Sequence, residues 1–183
     1  MWFNHKSIGM KNILSLLCIL MLTVACVNSP TPERSVGFTD WTDDGTSYKF
    51  HLGTDAYVDV VKTFDNAVQA RNYPAIREIF NDTASITYQN GVTATIDEFI
   101  SMNLRRDSIL AANNASLKWD LLRAFSVDLD PTTGGEHVNA MYKGIYKDST
   151  ETIQYYANLW FYVRDEKIIT VNQFNQTIPN DEE

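Results

Sequence analysis

The spacing of apolar residues changes from a helical period to an alternating one near residue 116. Apolar side chains recur every three or four positions over residues 54–72, which predicts an amphipathic helix. A second, short helix is predicted over residues 74–80, because Pro74 suits a first helical turn. A capping box, Thr-Ile-Asp-Glu at residues 95–98, opens a third helix. The predicted buried face of that helix consists of Ile96, Phe99, Ile100 and Leu104.

Alternating apolar and polar residues predict the strands of a sheet. The predicted strands cover residues 84–88, 116–128, 136–146, 152–164 and 168–175. Asn90-Gly91 is a tight hairpin dipeptide, and residues 130–135 carry Pro and Gly between two long strands. Residues 48–52 are expected to form a short extended segment packed on the domain. Helices followed by a strand meander predict an α+β domain, with about three N-terminal helices packed on a curved antiparallel sheet.

The N-terminal residues carry the pattern of an export signal. An apolar run over residues 13–25 follows Lys11 and ends in Thr23-Val24-Ala25, directly before Cys26. This predicts a signal peptide over residues 1–25, and the cysteine resembles the acylated first residue of bacterial lipoproteins. We therefore expect a lipid-anchored protein of the bacterial cell envelope, facing the periplasm or the exterior. The alternative is an uncleaved anchor, but the run is shorter than the roughly 20 residues that a spanning helix needs.

Three further segments complete the predicted organisation. Residues 26–52 form a lipid-anchored linker with a partly ordered N-terminal segment, residues 53–178 form the domain, and residues 179–183 form an acidic tail. Both cysteines, Cys18 and Cys26, belong to the leader and its processing point. The mature domain therefore has no thiol for a disulfide, a zinc cluster or a nucleophile.

The net charge of the chain and the absence of two ligand-binding motifs exclude several classes of binding partner. The formal net charge of −8 becomes −10 when Lys6 and Lys11 leave with the leader, which disfavours binding to nucleic acid. The spacing of a calcium loop and a phosphate-binding glycine loop after a strand are both absent. The sequence thus predicts no metal and no cofactor.

Two segments of the sequence resemble those of a known superfamily. Ile79-Phe-Asn-Asp-Thr-Ala-Ser follows the first two predicted helices, and residues 160–171 form a closing hairpin. Together with the order of elements over residues 54–178, they are similar to the nuclear transport factor 2-like superfamily, also called the SnoaL-like or cystatin-like fold. The resemblance implies a cone-shaped domain. It does not imply one function, because the fold hosts enzymes, binding modules and dimerising modules alike.

The catalytic residues known from this superfamily are not matched. Steroid isomerases of the fold use a carboxylate base, a tyrosine and a protonated aspartate, and the resemblance places these at Tyr88, Phe64 and Leu159. A phenol with a pKa near ~10 is a poor base, and the other two side chains cannot donate a hydrogen bond. The histidines His51 and His137 are predicted at the surface, away from any cone. Steroid isomerase activity is therefore not expected.

The inner side of the predicted cone is mostly apolar. We expect it to be lined by Phe64, Tyr88, Trp119, Tyr155, Leu159, Phe161, Val171 and Gln173. Such a lining suits a small apolar ligand, although the same rings could instead fill the core. We favour a non-catalytic module that binds a small ligand or a protein partner, since the known catalytic positions are apolar. The alternative is a SnoaL-like enzyme using polar residues such as Tyr88, Gln173 and Asn175, which an acidic or histidine side chain inside the cone would favour.

The outer side of the sheet carries aromatic residues that a solvent-facing surface should lack. These are Tyr156, Trp160, Tyr162 and Phe174. An exposed aromatic patch is typical of an interface, and it predicts a homodimer formed through this face. The alternative is that residues 38–52 fold back and cover the patch.

Overall fold

The computed structural model describes residues 35–40 and 45–178. The predicted signal peptide, Cys26 and the acidic tail lie outside these residues. In chain order the elements are β1 (Gly37–Thr39), β2 (Tyr48–Leu52), α1 (Asp55–Gln69), α2 (Tyr73–Ile79), β3 (Phe80–Thr87), β4 (Thr93–Thr95), α3 (Ile96–Ala112), β5 (Ser116–Asp128), β6 (Glu136–Lys147), β7 (Thr152–Arg164) and β8 (Lys167–Ile178). Among the described helices, none combines the length and the apolar character that crossing a membrane requires.

Helix α1 buries the stripe that its sequence predicts. Val58, Val61, Phe64 and Ala67 face the interior at helical spacing. The side chain of Thr54 occupies the N-cap position without making a cap hydrogen bond. The backbone N–H of Thr54 instead donates to Oε2 of Glu136 on β6, at 2.7 Å. A buried carboxylate from the sheet therefore caps this helix, where the helix dipole also favours negative charge.

The site of this remote cap requires a glycine. A Cβ atom at Gly53 would lie 2.0 Å from Oε2 of Glu136 and 2.4 Å from Oγ of Ser126. Ser126 also donates to Oε2 of Glu136, at 2.5 Å. The absence of a side chain at Gly53 thus lets the chain pass close enough for the carboxylate to reach the start of α1.

Helix α3 begins at the predicted capping box, which is confirmed. The N–H of Glu98 donates to Oγ1 of Thr95 at 3.3 Å, and the N–H of Thr95 donates to Oε2 of Glu98 at 2.8 Å. The predicted buried face of this helix is wrong at Leu104, which is 50% exposed, while Asn103 is buried. Asn103 can be buried because its Nδ2 donates to the carbonyl of Phe99 at 2.7 Å.

Within the described residues, the sheet contains eight strands in the order β1-β2-β5-β6-β7-β8-β3-β4. The predicted strands at 116–128 and 152–164 are confirmed as β5 and β7, and the Asn90-Gly91 hairpin joins β3 to β4. The expectation of an antiparallel sheet is wrong at one pairing, since β3 runs parallel to β8. No hairpin joins these two strands, so no turn imposes opposite directions on them.

The segment predicted to be extended at residues 48–52 is strand β2. It continues the sheet at the end of β5, where His51 pairs with Asp128 and Leu52 pairs with Val127. Strand β1 pairs with β2 on the other side. The described part of this N-terminal segment therefore extends the sheet at its edge.

The main core lies between the helices and the inner face of the sheet. Aromatic rings from four elements meet there, with ring centroids 5.6 Å apart for Phe64 and Phe80 and 5.6 Å apart for Phe64 and Phe161. Phe99 completes the cluster from α3. Edge-to-face contacts of this kind stabilise the packing of helix on sheet, and they close one part of the cone.

Candidate ligand-binding site

A cavity of about 370 Å³ lies beside this aromatic cluster, between α1, α3 and the inner face of the sheet. Its apolar wall consists of Phe64, Val68, Phe99, Met102, Leu110, Leu117, Trp119 and Leu159. Its polar groups belong to Asp65, Gln69, Arg71, Tyr88, Asn103, Arg106, Asp107, Tyr155 and Gln173. Mostly apolar walls with a few placed polar groups are typical of sites for small organic molecules.

The structure brings most of the predicted cone residues to this cavity. Those that line it are Phe64, Tyr88, Trp119, Tyr155, Leu159 and Gln173. Phe161 and Val171 do not, since they are 0% and 3% exposed and lie in the packed core. Their position follows from the aromatic cluster, where the ring of Phe161 packs edge-on against Phe64. Asn175 is exposed, and its backbone N–H donates to Oε1 of Gln89 at 3.0 Å.

One wall of the cavity depends on a residue without a side chain. Trp119, Gly144 and Tyr155 lie directly opposite one another on β5, β6 and β7. A Cβ atom at Gly144 would lie 2.2 Å from Cζ of Tyr155. The two aromatic rings therefore close over the glycine, with centroids 6.0 Å apart. This arrangement positions the Tyr155 ring along the cavity wall.

Asp65 is the acidic residue that α1 contributes to the cavity. Its Oδ1 is buried and has no hydrogen-bond partner within the part of the chain that the structure describes. Burial raises the pKa of this carboxyl, a hydrogen bond with Gln69 opposes the change, and the charge of Asp120 adds to it. An unsatisfied buried oxygen costs about 1–3 kcal/mol, so Asp65 lowers the stability of the folded domain.

Tyr142 lies behind the wall, with a second unsatisfied group. Its hydroxyl is buried without a partner among the described residues, and its ring stacks on Trp119 with centroids 4.9 Å apart. Burial and, after it, the charge of Asp65 raise the pKa of this phenol well above its usual range. The two unsatisfied groups therefore interact electrostatically across the interior.

Helix α3 contributes a cluster of charged residues. Asp107 receives hydrogen bonds from Tyr73 and Arg106, and Nε of Arg71 lies 3.1 Å from its Oδ2. Burial works to raise the pKa of Asp107, but the bonds from Tyr73 and Arg106 and the two arginine charges outweigh it and hold the pKa below its ordinary value. Asp107 is therefore ionised and firmly held.

Sequence reasoning missed these polar residues of α3. Asn103, Arg106, Asp107 and Leu110 lie on one stripe, because their spacing of three and four residues places them on the same face of the helix. The available signal was the regular spacing itself, which continues the buried stripe that begins at Ile96.

The two histidines of the domain lie away from the cavity. Neither His51 nor His137 lines the cavity. Burial lowers the pKa of His137, and the charge of Asp128 opposes that change. Within residues 35–40 and 45–178, no three His, Cys, Asp or Glu side chains are grouped so that they could hold a metal ion.

The predicted aromatic patch lies on the outer face of the sheet. Tyr156, Trp160 and Tyr162 are partly exposed on β7, and Phe174 on β8 is 58% exposed. Phe174 pairs with Asn158, so it shares the side of the sheet that carries the other three. This face is separate from the cavity, which lies on the inner side.

Three solved structures from bacteria are similar to this chain. A LEH-like epoxide hydrolase from M. tuberculosis has a TM-score of 0.51 at 13% identity, covering 67% of this chain and 84% of its own. A ketosteroid isomerase-like protein from Kribbella flavida has a TM-score of 0.53 at 8% identity, covering 72% and 86%. A nuclear transport factor 2-like protein of unknown function from Burkholderia pseudomallei has a TM-score of 0.52 at 10% identity, covering 67% and 92%.

The protein has the nuclear transport factor 2-like fold. No protein-family model and no curated protein matches the sequence. Identities this low establish the fold alone, and the fold accommodates different activities. The function must therefore be argued from the nuclear transport factor 2-like domain of this chain and its own cavity.

Proposed function

We propose that this protein binds a small, mostly apolar organic molecule in its cone and hydrogen-bonds one polar group of that molecule through Asp65. The proposal is carried by one observation, the half-buried carboxyl group of Asp65 on the wall of a cavity that also carries eight apolar side chains. A ligand hydroxyl that donates to this carboxyl group would form a hydrogen bond to a charged acceptor. The volume of about 370 Å³ lies within the usual range for small-molecule sites.

Two aromatic probes of equal shape test this proposal. 2-Naphthol carries a hydroxyl group that naphthalene lacks, and we expect it to bind about tenfold more tightly because it donates to Asp65. Asp65→Leu should remove the difference while retaining naphthalene binding. The control is Asp59→Leu, which removes an exposed carboxylate from the same helix. Equal affinities of the wild-type protein for the two probes, or no binding of either, would contradict the proposal.

A second candidate function is acid–base catalysis on the bound molecule, as in a SnoaL-like enzyme. It is favoured by the acidic side chain of Asp65 inside the cone, the feature expected of the enzyme alternative, and by the raised pKa of this carboxyl, since carboxyl groups shifted by burial inside a cavity are typical of proton-transfer sites. In this case the ionised carboxylate of Asp65 would remove a proton next to a ligand carbonyl. The non-catalytic and catalytic proposals share one site and differ in whether a proton moves.

Proton exchange separates these two candidates. 2-Tetralone in D₂O exchanges the hydrogens beside its carbonyl at a rate that NMR measures directly. A catalytic Asp65 should accelerate the exchange, and Asp65→Asn should abolish the acceleration while 2-tetralone still binds. A wild-type protein that binds 2-tetralone without accelerating its exchange would leave the non-catalytic function standing alone.

We infer from the sequence that the domain is held at a bacterial envelope membrane by a lipid on Cys26. The support is the basic start, the apolar run and the small residues before the cysteine. Cys26→Ser should release the protein from membranes and abolish its labelling by a fatty-acid analogue. Label that persists on this variant would contradict the lipidation.

We also propose that two copies associate through the outer face of the sheet. The support is the exposure of Phe174 at 58%, Phe125 at 41% and Leu52 at 69%, which the strand register places on the same side of the sheet as the aromatic residues of β7. The described part of residues 38–52 extends the edge of the sheet through β2. An apolar face of this extent is typical of an interface between proteins.

A further inference from the structure

We propose that the ligand of this cavity is an amphipathic anion, a small molecule with an apolar body and a carboxylate that Arg106 binds. This inference rests on the proposed ligand-binding function and names the class of ligand. It depends on Arg106, which lines the cavity from α3 while 42% of its side chain remains exposed. The guanidinium therefore lies where the cavity opens to solvent, a position in which an anionic group can keep part of its hydration.

Some N–H groups of Arg106 make no hydrogen bond to another described residue. Its Nε and Nη2 both donate to Oδ1 of Asp107, at 3.3 and 3.1 Å. Its Nη1 makes no hydrogen bond to another described residue. A guanidinium carries five N–H groups in a planar fork that matches a carboxylate. The contact with Asp107 thus fixes the guanidinium plane and leaves another edge available for a second carboxylate.

The charge count at this end of the cavity is positive. Asp107 is one carboxylate between two arginines, Arg71 and Arg106. Tyr73 also donates to Asp107, which holds the carboxylate in place. The three charges sum to one excess positive charge in a chain whose formal net charge is −8. A local positive charge against a negative background selects for an anion at this point.

Two tyrosines stand beside the same guanidinium. Burial raises the pKa values of Tyr88 and Tyr155, and the charge of Arg106 opposes the change at both. The hydroxyl of Tyr88 lies 3.9 Å from the sulfur of Met102, which is a weak acceptor. Both phenols therefore remain able to donate to a carboxylate on Arg106, and their rings continue into the apolar wall.

The carboxyl group of Asp65 does not oppose this assignment. It projects from α1, whereas Arg106 projects from α3, and the two side chains form no ion pair in the part of the chain that the structure describes. The cavity thus has a cationic end at Arg106 and a separate hydrogen-bonding position at Asp65. A molecule that suits both has its anionic group at one end and a hydroxyl or carbonyl on its apolar body.

Isothermal titration calorimetry of the purified full-length protein tests the inference with sodium 2-naphthoate and 2-naphthol. We expect the wild-type protein to bind naphthoate at least about tenfold more tightly, since charge-assisted bidentate pairs are the stronger hydrogen bonds. Arg106→Gln should weaken naphthoate binding by about tenfold or more and change naphthol binding less than about twofold. Arg106→Lys should fall between, because it keeps the charge and loses the fork.

The matched control is Arg105→Gln. Arg105 is exposed and does not line the cavity. Its substitution by Gln removes the same charge from the position next to Arg106. It should change naphthoate binding less than about twofold at physiological salt. Equal affinities of the wild-type protein for the two probes, or equal losses in the two arginine variants, would overturn the inference while the proposed ligand binding stands. Binding of neither probe would overturn both.

Discussion

Glu136 and Thr54 are 82 positions apart in the chain, yet Oε2 of the first accepts a hydrogen bond from the backbone N–H of the second at 2.7 Å. This contact joins β6 to the start of α1, and α1 carries Asp65 into the cavity. The position of the cavity acid therefore depends on a carboxylate that touches no ligand.

Removing this cap should destabilise the fold. Glu136→Ala leaves the N–H of Thr54 and the hydroxyl of Ser126 without their acceptor, so we expect a loss of about 2–3 kcal/mol in the free energy of unfolding. Urea denaturation measures it. Glu78→Ala, at an exposed position of α2, should change stability by less than about 0.5 kcal/mol. Equal midpoints for the two variants would show that the cap contributes nothing.

Asp65 should reduce stability while it serves the cavity. Asp65→Leu removes the unsatisfied oxygen, and we expect a gain of about 1 kcal/mol at pH 7, or a rise of about 2–4 °C in Tm. The folded-state pKa of Asp65 is raised, so the wild-type folded state holds this proton more tightly. The stability linked to it is complete below the unfolded pKa and is lost as pH rises through the folded pKa.

The difference between wild type and Asp65→Leu should therefore shrink as the pH is lowered toward the unfolded pKa of Asp65. Differential scanning calorimetry at several pH values follows this trend. A difference that stays constant with pH, or a variant that is less stable than wild type at pH 7, would contradict the free-energy cost assigned to the buried carboxyl group of Asp65.

His137 should make the folded state sensitive to mild acid. Its folded-state pKa is lowered from the ordinary value of 6.5, mainly by burial against the outer face, where it stacks on Tyr162 at 4.9 Å. The unfolded chain then takes up the proton first, so the associated stability is present above the unfolded pKa and is lost as pH falls through the folded pKa. Urea midpoints of wild type should fall more steeply below pH 6.5 than those of His137→Gln. Parallel curves for the two proteins would show that His137 is not the group responsible.

Trp160 should anchor the proposed dimer. The domain lacking residues 1–26 is expected to sediment as a dimer, and Trp160→Ser should weaken self-association roughly thirtyfold, since such an anchor contributes ~2 kcal/mol or more. Circular dichroism should be nearly unchanged, because the inner face is untouched. Leu104→Ser, at a 50% exposed position of α3, is the control and should leave the dimer intact.

A wild-type domain that is already monomeric at tens of micromolar would contradict the dimer. The described part of residues 38–52 lies at the β2 edge of the sheet, away from β7 and β8, so it does not cover the aromatic patch.

The long strands could be predicted from the sequence because their alternation is sustained. The bounds 116–128 and 152–164 coincide with β5 and β7, since one face of each strand is apolar over many residues. The start of β3 was missed by four residues, because Phe80 is followed by three polar residues before the apolar alternation begins. The parallel partner of β3 could not be predicted, because sequence patterns reveal hairpins and not pairings between distant strands.

The aromatic part of the cavity lining could be predicted from the sequence, whereas its charged part could not. Aromatic residues at strand spacing indicate the inner face, so Trp119 and Tyr155 could be assigned to it. Asp65 adjoins Phe64 on a helix whose stripe indicates only burial. Its role follows from an oxygen that finds no partner, and a missing contact has no signature in the sequence. Arg106 likewise depends on the rotation of α3 about its axis, which the capping box does not fix.

Because β3 pairs in parallel with β8, the sheet can be completed only when the last strand of the chain is in place. Strand β8 lies between β7 and β3, so both neighbours present open edges until residues 167–178 are in place. Open strand edges are sites where chains pair wrongly with one another. A chain truncated before residue 167 should therefore aggregate, whereas one that extends through residue 178 closes its own sheet.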